Sequence, residues 1–197
     1  MDFQTRALFT TETFVKGLNW HLPTDVRVRG AWDASQDFNS RRDAVSRVYQ
    51  YTLLNARWPS ALLRDFSHHV PQPLDVEIMQ EAAGCLRGTH DFSAFTVALP
   101  QRRSAVRRVR RWDVRREGEL VLIESEANGF LPHQIRRTNG LLVEIGLGRL
   151  PLERIRGIID ATLKEPVQGP LLPPKGLCLM KVNYRECPGV EEVHETR

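Results

Sequence analysis

Alternating apolar and polar positions predict a strand over residues 47–54, where Val48, Tyr49, Tyr51, Thr52 and Leu53 supply β-branched and aromatic side chains and Asn55 ends the run. The period then changes. Leu74, Ile78, Ala82 and Cys85 recur at helical spacing over residues 74–86, and Asp75, after Pro73, is placed to cap that helix. Residues 106–115 return to alternation, with Val106, Trp112 and Val114 on one face. Glu117 and Gly118 then turn the chain into a second strand over residues 119–127, making a hairpin. Ile135, Leu142 and Ile145 predict a helix over residues 132–147, stopped by Gly146 and Gly148. Pro151 opens another with Leu152, Ile155, Ile159 and Leu163 along it. A last strand covers residues 177–184, after the proline-rich residues 170–174.

The order β-α-β-β-α-(α)-β predicts an α+β fold of the ferredoxin-like or RRM-like kind, a four-stranded antiparallel sheet with helices packed on one face. Its other face is left open, as in domains that receive RNA bases on a sheet, although the fold alone licenses no activity. Residues 1–34 add the tail of a strand at 2–5, a helix over 11–20 with Thr11 as cap, and a strand over 26–32. That is the end of a second unit of the same type, so Phe14, Leu18, Val26 and Val28 call for a partner surface. The expected division is residues 1–34 as the remnant of an N-terminal α/β domain, 35–187 as a C-terminal α/β domain, and 188–197 as a tail.

Composition narrows the class. The chain has 197 residues, 41% hydrophobic and 26% charged, as ordinary globular proteins do. No apolar run approaches the ~20 residues of a membrane span and no secretory signal precedes the fold, so a cytoplasmic protein with no membrane partner is expected. Cys85, Cys178 and Cys187 are odd in number and lack metal-ligand spacing, against both a disulfide framework and a zinc site. The net charge of +4 is mild, but residues 101–116 carry eight arginines around Trp112. Such a run suits phosphate contacts and base stacking, and equally the solvated face of a surface strand.

The most informative segment is residues 127–140, where a strand end meets a helix start through Asn128, Gly129 and Pro132. Phe130 and Leu131 are apolar at the strand end. Arg136 falls in the first turns of the helix, against the positive end of its dipole, and so calls for an anionic partner elsewhere.

Several separated motifs, in order, make the chain resemble the tRNA pseudouridine synthase A (TruA) family over nearly its whole length. Leu18–Pro23 is similar to the family's L-N-x-x-L-P, Asp37–Arg41 to D-F-H-A-R, and Arg47–Tyr51 to R-x-Y-x-Y. Gly88–Phe95 resembles G-x-H-D-F-x-x-F, Ser104–Arg107 S-P-x-R, Ala127–Arg136 A-x-x-F-x-x-H-M-V-R, and Pro173–Leu179 P-x-G-L-x-L. The resemblance implies isomerisation of uridine to pseudouridine in the tRNA anticodon arm, by breaking the N-glycosidic bond and rejoining the ring through carbon, with no cofactor. It implies a homodimer whose partner is tRNA, with the active site in a basic cleft between two ferredoxin-like domains. Tyr49 then matches the tyrosine that stacks on the target base, and Arg136 the arginine that pairs with a catalytic aspartate. Arg41, Arg107, Phe130 and His133 fall within matching motifs as substrate-binding candidates, His133 with the thinnest warrant. For His90 and Asp91, Asp91 either ties its loop or touches substrate.

The sequence departs from the pattern in places. Asn39 and Ser40 stand for His and Ala, Arg42 for an apolar residue, Ala105 for Pro, and Gln134 for Met. The family's G-R-T-D-x-G-V-H motif, which carries the nucleophilic aspartate, has no counterpart in the 197 residues. Asp2, Asp25, Asp33, Asp37 and Asp43 lie in other contexts. The expectation is therefore an N-terminally shortened, inactive chain, with a catalytically dead RNA-binding module or a non-functional fragment as the alternatives.

Overall fold

The alternating segment around Tyr49 becomes the inner strand of a six-stranded sheet. The computed structural model describes residues 1–96, 104–160 and 169–185. In it β1 (Ala44–Leu54) pairs antiparallel with β5 (Leu120–Ala127), Arg47 opposite Ala127 and Leu54 opposite Leu120. β5 in turn pairs with β4 (Val106–Glu117) across Gly118, whose φ of 59° is the left-handed conformation that glycine adopts at no steric cost. Beyond β4 lies the short β3 (Gly88–Asp91), also antiparallel.

The free edge of β1 takes two partners, β6 (Leu177–Tyr184) and a two-residue β2 (His68–His69) that pairs in parallel at Leu53 and Leu54. β6 runs opposite to β1, with Gly176 beside Thr52 and Asn183 Nδ2 donating to Ser46 Oγ at 2.8 Å. The α+β class holds, and every strand expected between residues 47 and 184 is present. The wholly antiparallel, four-stranded sheet does not hold: β2 and β3 are additions, and β2 makes the sheet mixed. Neither is long enough to show a period in the sequence.

The chain divides into two compact units, Met1–Val45 with Tyr184 and Arg185, and Ser46–Asn183. In the larger unit the core lies on the sheet face that carries Tyr51, Leu53, Trp112, Val114, Val121 and Ile123. Against it pack α2 (Val76–Gly84), α3 (Gln134–Gly146) and α4 (Glu153–Ile159), through Met79 and Ala82, through Leu141, Leu142 and Ile145, and through Ile155. Asp75 caps α2 as its position predicts, accepting from the Glu77 and Ile78 amides at 3.1 Å. Leu163 and Cys187 lie outside the described residues.

One expected phase is corrected. The β4 to β5 register slips between Val109 and Arg111, so Arg110 is an extra residue. This bulge resets the alternation. Val109 is buried beside Trp112 and Val114, while Val106 remains 44% exposed. Arg110 and Arg111 both reach the acidic residues of the opposite face.

The smaller unit holds α1 (Thr11–His21), whose cap lies one residue before the expected one: Thr10 Oγ1, not Thr11, accepts from the Thr13 amide at 3.2 Å. Phe14 meets Phe3 and Phe9 edge to face. Asn19 holds residues around Val28 with a pair of bonds, Nδ2 donating to Val28 O at 2.9 Å and Oδ1 accepting its N–H at 2.8 Å. Residues 2–5 and 26–32 form no strands, because a strand exists only where a ladder partner takes its backbone groups, and the described residues offer them none. Leu18 and Val26 are accordingly exposed. Tyr184 closes this unit, stacking obliquely on Phe38 and donating from its hydroxyl to Ser40 O at 2.7 Å.

The β2 edge is pH-sensitive. Burial, with Lys175 and His69 adding repulsion, holds the His68 imidazole below its ordinary range. The unfolded chain therefore takes up this proton more readily, so the contribution is whole above the ordinary histidine pKa and is lost as pH falls through it. Replacing His68→Gln should flatten the loss of thermal stability between about pH 7 and pH 5. An unchanged slope would show that His68 titrates alike in both states.

Candidate active site

The turn that joins β5 to α3 is held at four points. Asn128 bridges to β4, its Oδ1 accepting from the Arg108 amide at 3.0 Å and its own N–H donating to Arg108 O at 3.1 Å. Arg47 Nη1 donates to Asn128 O at 2.9 Å, and Thr96 Oγ1 to Pro132 O at 2.9 Å. Gln134 is fully buried, and its Oε1 accepts the Leu131 N–H at 2.8 Å. That side chain closes an otherwise orphaned donor ahead of the helix, which is what the departure at Gln134 does structurally.

These ties force one unusual backbone. His133 sits at φ 62°, alone among non-glycine residues described, a conformation that costs an L-residue about 1 kcal/mol. It is exposed at the N-cap of α3 and makes no capping bond with its side chain. Its Nδ1 lies 3.5 Å from Arg136 Nη1, and since a guanidinium only donates, Nδ1 is the acceptor of that long contact.

Arg136 does have a partner, though not the anion its place in the helix suggests. Its Nε donates to the carbonyl of Leu172 at 2.5 Å, from a chain segment 36 residues away. Among the described residues no carboxylate lies within ion-pair distance of it, and its Nη1 faces His133. Next to it Tyr51 is fully buried, and its hydroxyl donates to Pro173 O at 2.7 Å. Burial pushes that hydroxyl far above the usual tyrosine range, while the Arg136 charge acts in the opposite sense, so Tyr51 stays a neutral donor.

An aromatic ladder reaches the same end of the sheet. Trp112, wholly buried, donates from Nε1 to Asn139 Oδ1 at 3.2 Å and meets Phe130 edge to face at 6.1 Å. Phe130 in turn stands nearly perpendicular to Tyr49, centroids 5.5 Å apart. Both Tyr49 and Phe130 are only half-buried against the core. The ladder lies on the helix-bearing side of the sheet, at its end, not on the open face.

The other sequence candidates are distributed unevenly. Arg107 belongs to this end: its Nε is 3.9 Å from where a Cβ on Gly129 would sit, and its Nη1 donates to Ser104 O and Val106 O. Arg41 lies exposed in the smaller unit, its amide donating to Asn39 Oδ1 at 3.1 Å. Asp91 ties its loop, accepting the Ser93 N–H at 2.7 Å, and His90 Nε2 meets Arg87 O. The arginine run is mostly spent on the opposite face. Arg110 pairs with Glu126, Arg111 with Glu124 and Asp113, and Arg115 with Glu117 and Glu124. Arg116 donates to Asn55 and Leu74 O. A solvated, ion-paired face is thus the reading that fits these residues, while Arg102 and Arg103 lie outside the described ones.

Sequence reasoning missed Tyr51, Gln134 and the Leu172–Pro173 carbonyls as parts of this site. Tyr51 was legible, two residues from Tyr49 and so on the same strand face; a backbone carbonyl carries no residue-type signal. No group of three or more His, Cys, Asp or Glu suited to a metal occurs among the described residues, and no helix of theirs is long and apolar enough to cross a membrane.

A family model described as tRNA pseudouridine synthase matches residues 82–185, a stretch containing Arg107, Phe130, His133 and Arg136. The chain is also similar to proteins named tRNA pseudouridine synthase A. That of Gluconobacter oxydans (strain 621H) is 37% identical over 189 residues, 95% of this chain and 68% of the relative. Those of Moorella thermoacetica and Methylobacterium sp. (strain 4-46) are 39% and 42% identical, covering 93% and 89% of this chain and 74% and 70% of theirs.

Proposed function

The chain belongs to the tRNA pseudouridine synthase A family, whose members are isomerases, and we propose that its larger unit carries half of a site that converts uridine to pseudouridine in the tRNA anticodon arm, in the cytoplasm. The observation that carries this reading is the edge-to-face pair of Tyr49 and Phe130, with the Arg136 charge acting on Tyr51, two residues from Tyr49 on the same strand face. A base taken out of its stack needs an aromatic face, and the Tyr49 ring, braced at right angles by Phe130, supplies one. A carboxylate nucleophile must stay ionised, and the Nη groups of Arg136 supply the cation that holds one so. The uracil is then freed from the ribose by breaking the N1–C1′ bond and rejoined through a C5–C1′ bond, C5 losing a proton and N1 gaining one, with Tyr49 holding the ring meanwhile. Arg41, Arg107 and His133 are proposed as further contacts to the RNA.

The ferredoxin-like arrangement is part of the proposal, supported by the strand order β6-β1-β5-β4 with helices on one face; so is the partial second unit at residues 1–34, within a division at 34 and 187. A homodimer is proposed as well. The loop before β2 exposes Trp58, Leu62 and Phe66, and β6, on the same edge of β1, exposes Leu179 and Met180.

The 197 residues contain no Gly-Arg-Thr-Asp segment. For this polypeptide by itself the proposal is therefore tRNA binding without turnover. The purified chain should bind unmodified tRNA with an affinity that falls steeply with salt, and form no pseudouridine. Tyr49→Ala should weaken binding about 5- to 150-fold, the range of one lost base stack. Product formation would overturn the inactivity, and an unchanged affinity in Tyr49→Ala would remove that residue from the site. Sedimentation of the same sample reads the oligomer, and a monomer at working concentration would end the dimer proposal.

A further inference from the structure

Residues 169–176 lie across the first half of α3 and touch it closely. A Cβ on Gly140 would stand 1.9 Å from Pro170 O, and one on Gly169 would stand 3.2 Å from the Leu141 amide, so the segment is seated where only glycine lets two backbones meet. From there it makes two side-chain contacts that matter: Leu172 O takes the Arg136 Nε–H, and Pro173 O takes the Tyr51 hydroxyl at 2.7 Å. Gly176 then closes on the Tyr51 ring, where a Cβ would be 2.9 Å from it. Tyr51 is fully buried yet spends its one polar atom on this segment.

We propose that residues 169–176 form a strap that sets the plane of the Arg136 guanidinium, and that Tyr51 is the positioning residue anchoring it. A guanidinium is a rigid planar fork, so fixing Nε on one carbonyl also fixes where both Nη groups point. Arg136 is not otherwise restrained by a charged partner among the described residues. Tyr51 fits the anchor's task because its ring is gripped by the core while its hydroxyl, kept neutral by burial, always offers a proton to Pro173 O. The consequence for function rests on the reading of Arg136 as a site residue; the strap's effect on its geometry does not.

The test uses Tyr51→Phe in the full 197-residue chain, which keeps the ring and removes only the hydroxyl. By nuclear magnetic resonance the Arg136 Nε–H should exchange slowly in the parent protein, and about three- to tenfold faster in Tyr51→Phe, the scale of one lost hydrogen bond. The affinity for unmodified tRNA should fall by a similar factor, less than in Arg136→Ala. Unchanged Nε–H exchange would overturn the strap, since a tyrosine that merely packs would leave that signal alone. Faster exchange with undiminished tRNA affinity would overturn its positioning role. Faster exchange in a protein that does not bind tRNA at all would support the strap and end the functional reading instead.

Discussion

Trp112→Ala is expected to cost about 3–5 kcal/mol, the largest loss from any single truncation of this core, and to bring a domain of ordinary stability close to unfolding. Trp112 heads the group of largest fully buried side chains and lies on β4, facing the helices. Two further losses accompany the cavity. Asn139 Oδ1 is left without its donor, and Phe130 loses the edge that holds it against Tyr49. Urea unfolding measures the first effect, and Trp112→Phe separates it from the others by refilling most of the volume without restoring the N–H. That variant should recover the greater part of the stability and still lack about 1 kcal/mol or more for the unpaired amide oxygen. A loss under about 1 kcal/mol in Trp112→Ala would show that the indole is not packed as described.

Gly140→Ala is the second. In a free helix this change gains roughly 1 kcal/mol, because alanine surrenders less backbone freedom. Here the new Cβ meets a backbone oxygen, 1.9 Å from Pro170 O and 3.1 Å from its carbon, and neither atom can turn aside as a flexible side chain would. Overpacking of this kind costs about 1–3 kcal/mol, so the steric term decides the sign and the protein is destabilised. Gly17→Ala in α1 is the contrast, since nothing lies within 4 Å of its Cβ and the gain should be kept. Thermal melting of the two variants should shift in opposite directions. A Gly140→Ala protein that melts higher than the parent would mean that residues 169–173 do not rest on α3.

Much of the fold was legible because local chemistry announces it. Asp75 marks a helix start through its own side-chain bonds, and Gly118 marks a hairpin through a backbone angle other residues avoid. The strand at Tyr49 shows in its alternation. Residues 2–5 and 26–32 alternate as well, yet form no strand, because pattern describes a face and pairing requires a neighbour. The arginine run was open between two readings for the same reason. Which face Arg110 and Arg111 take depends on a bulge, and whether Glu124 and Glu126 answer them depends on the register of β5.

By itself, then, the sequence determined the main strands and helices between residues 47 and 184, the hairpin at Gly118 and the cap at Asp75, and the ordered motifs that make this chain a member of its family. Only the tertiary structure decided what the candidate residues touch. Arg136 was visible as a cation at the wrong end of a helix, but its partner is a carbonyl 36 residues on, and every residue has a carbonyl. Side-chain chemistry is written locally, whereas a hydrogen bond to a distant backbone exists only once packing has brought the two segments together.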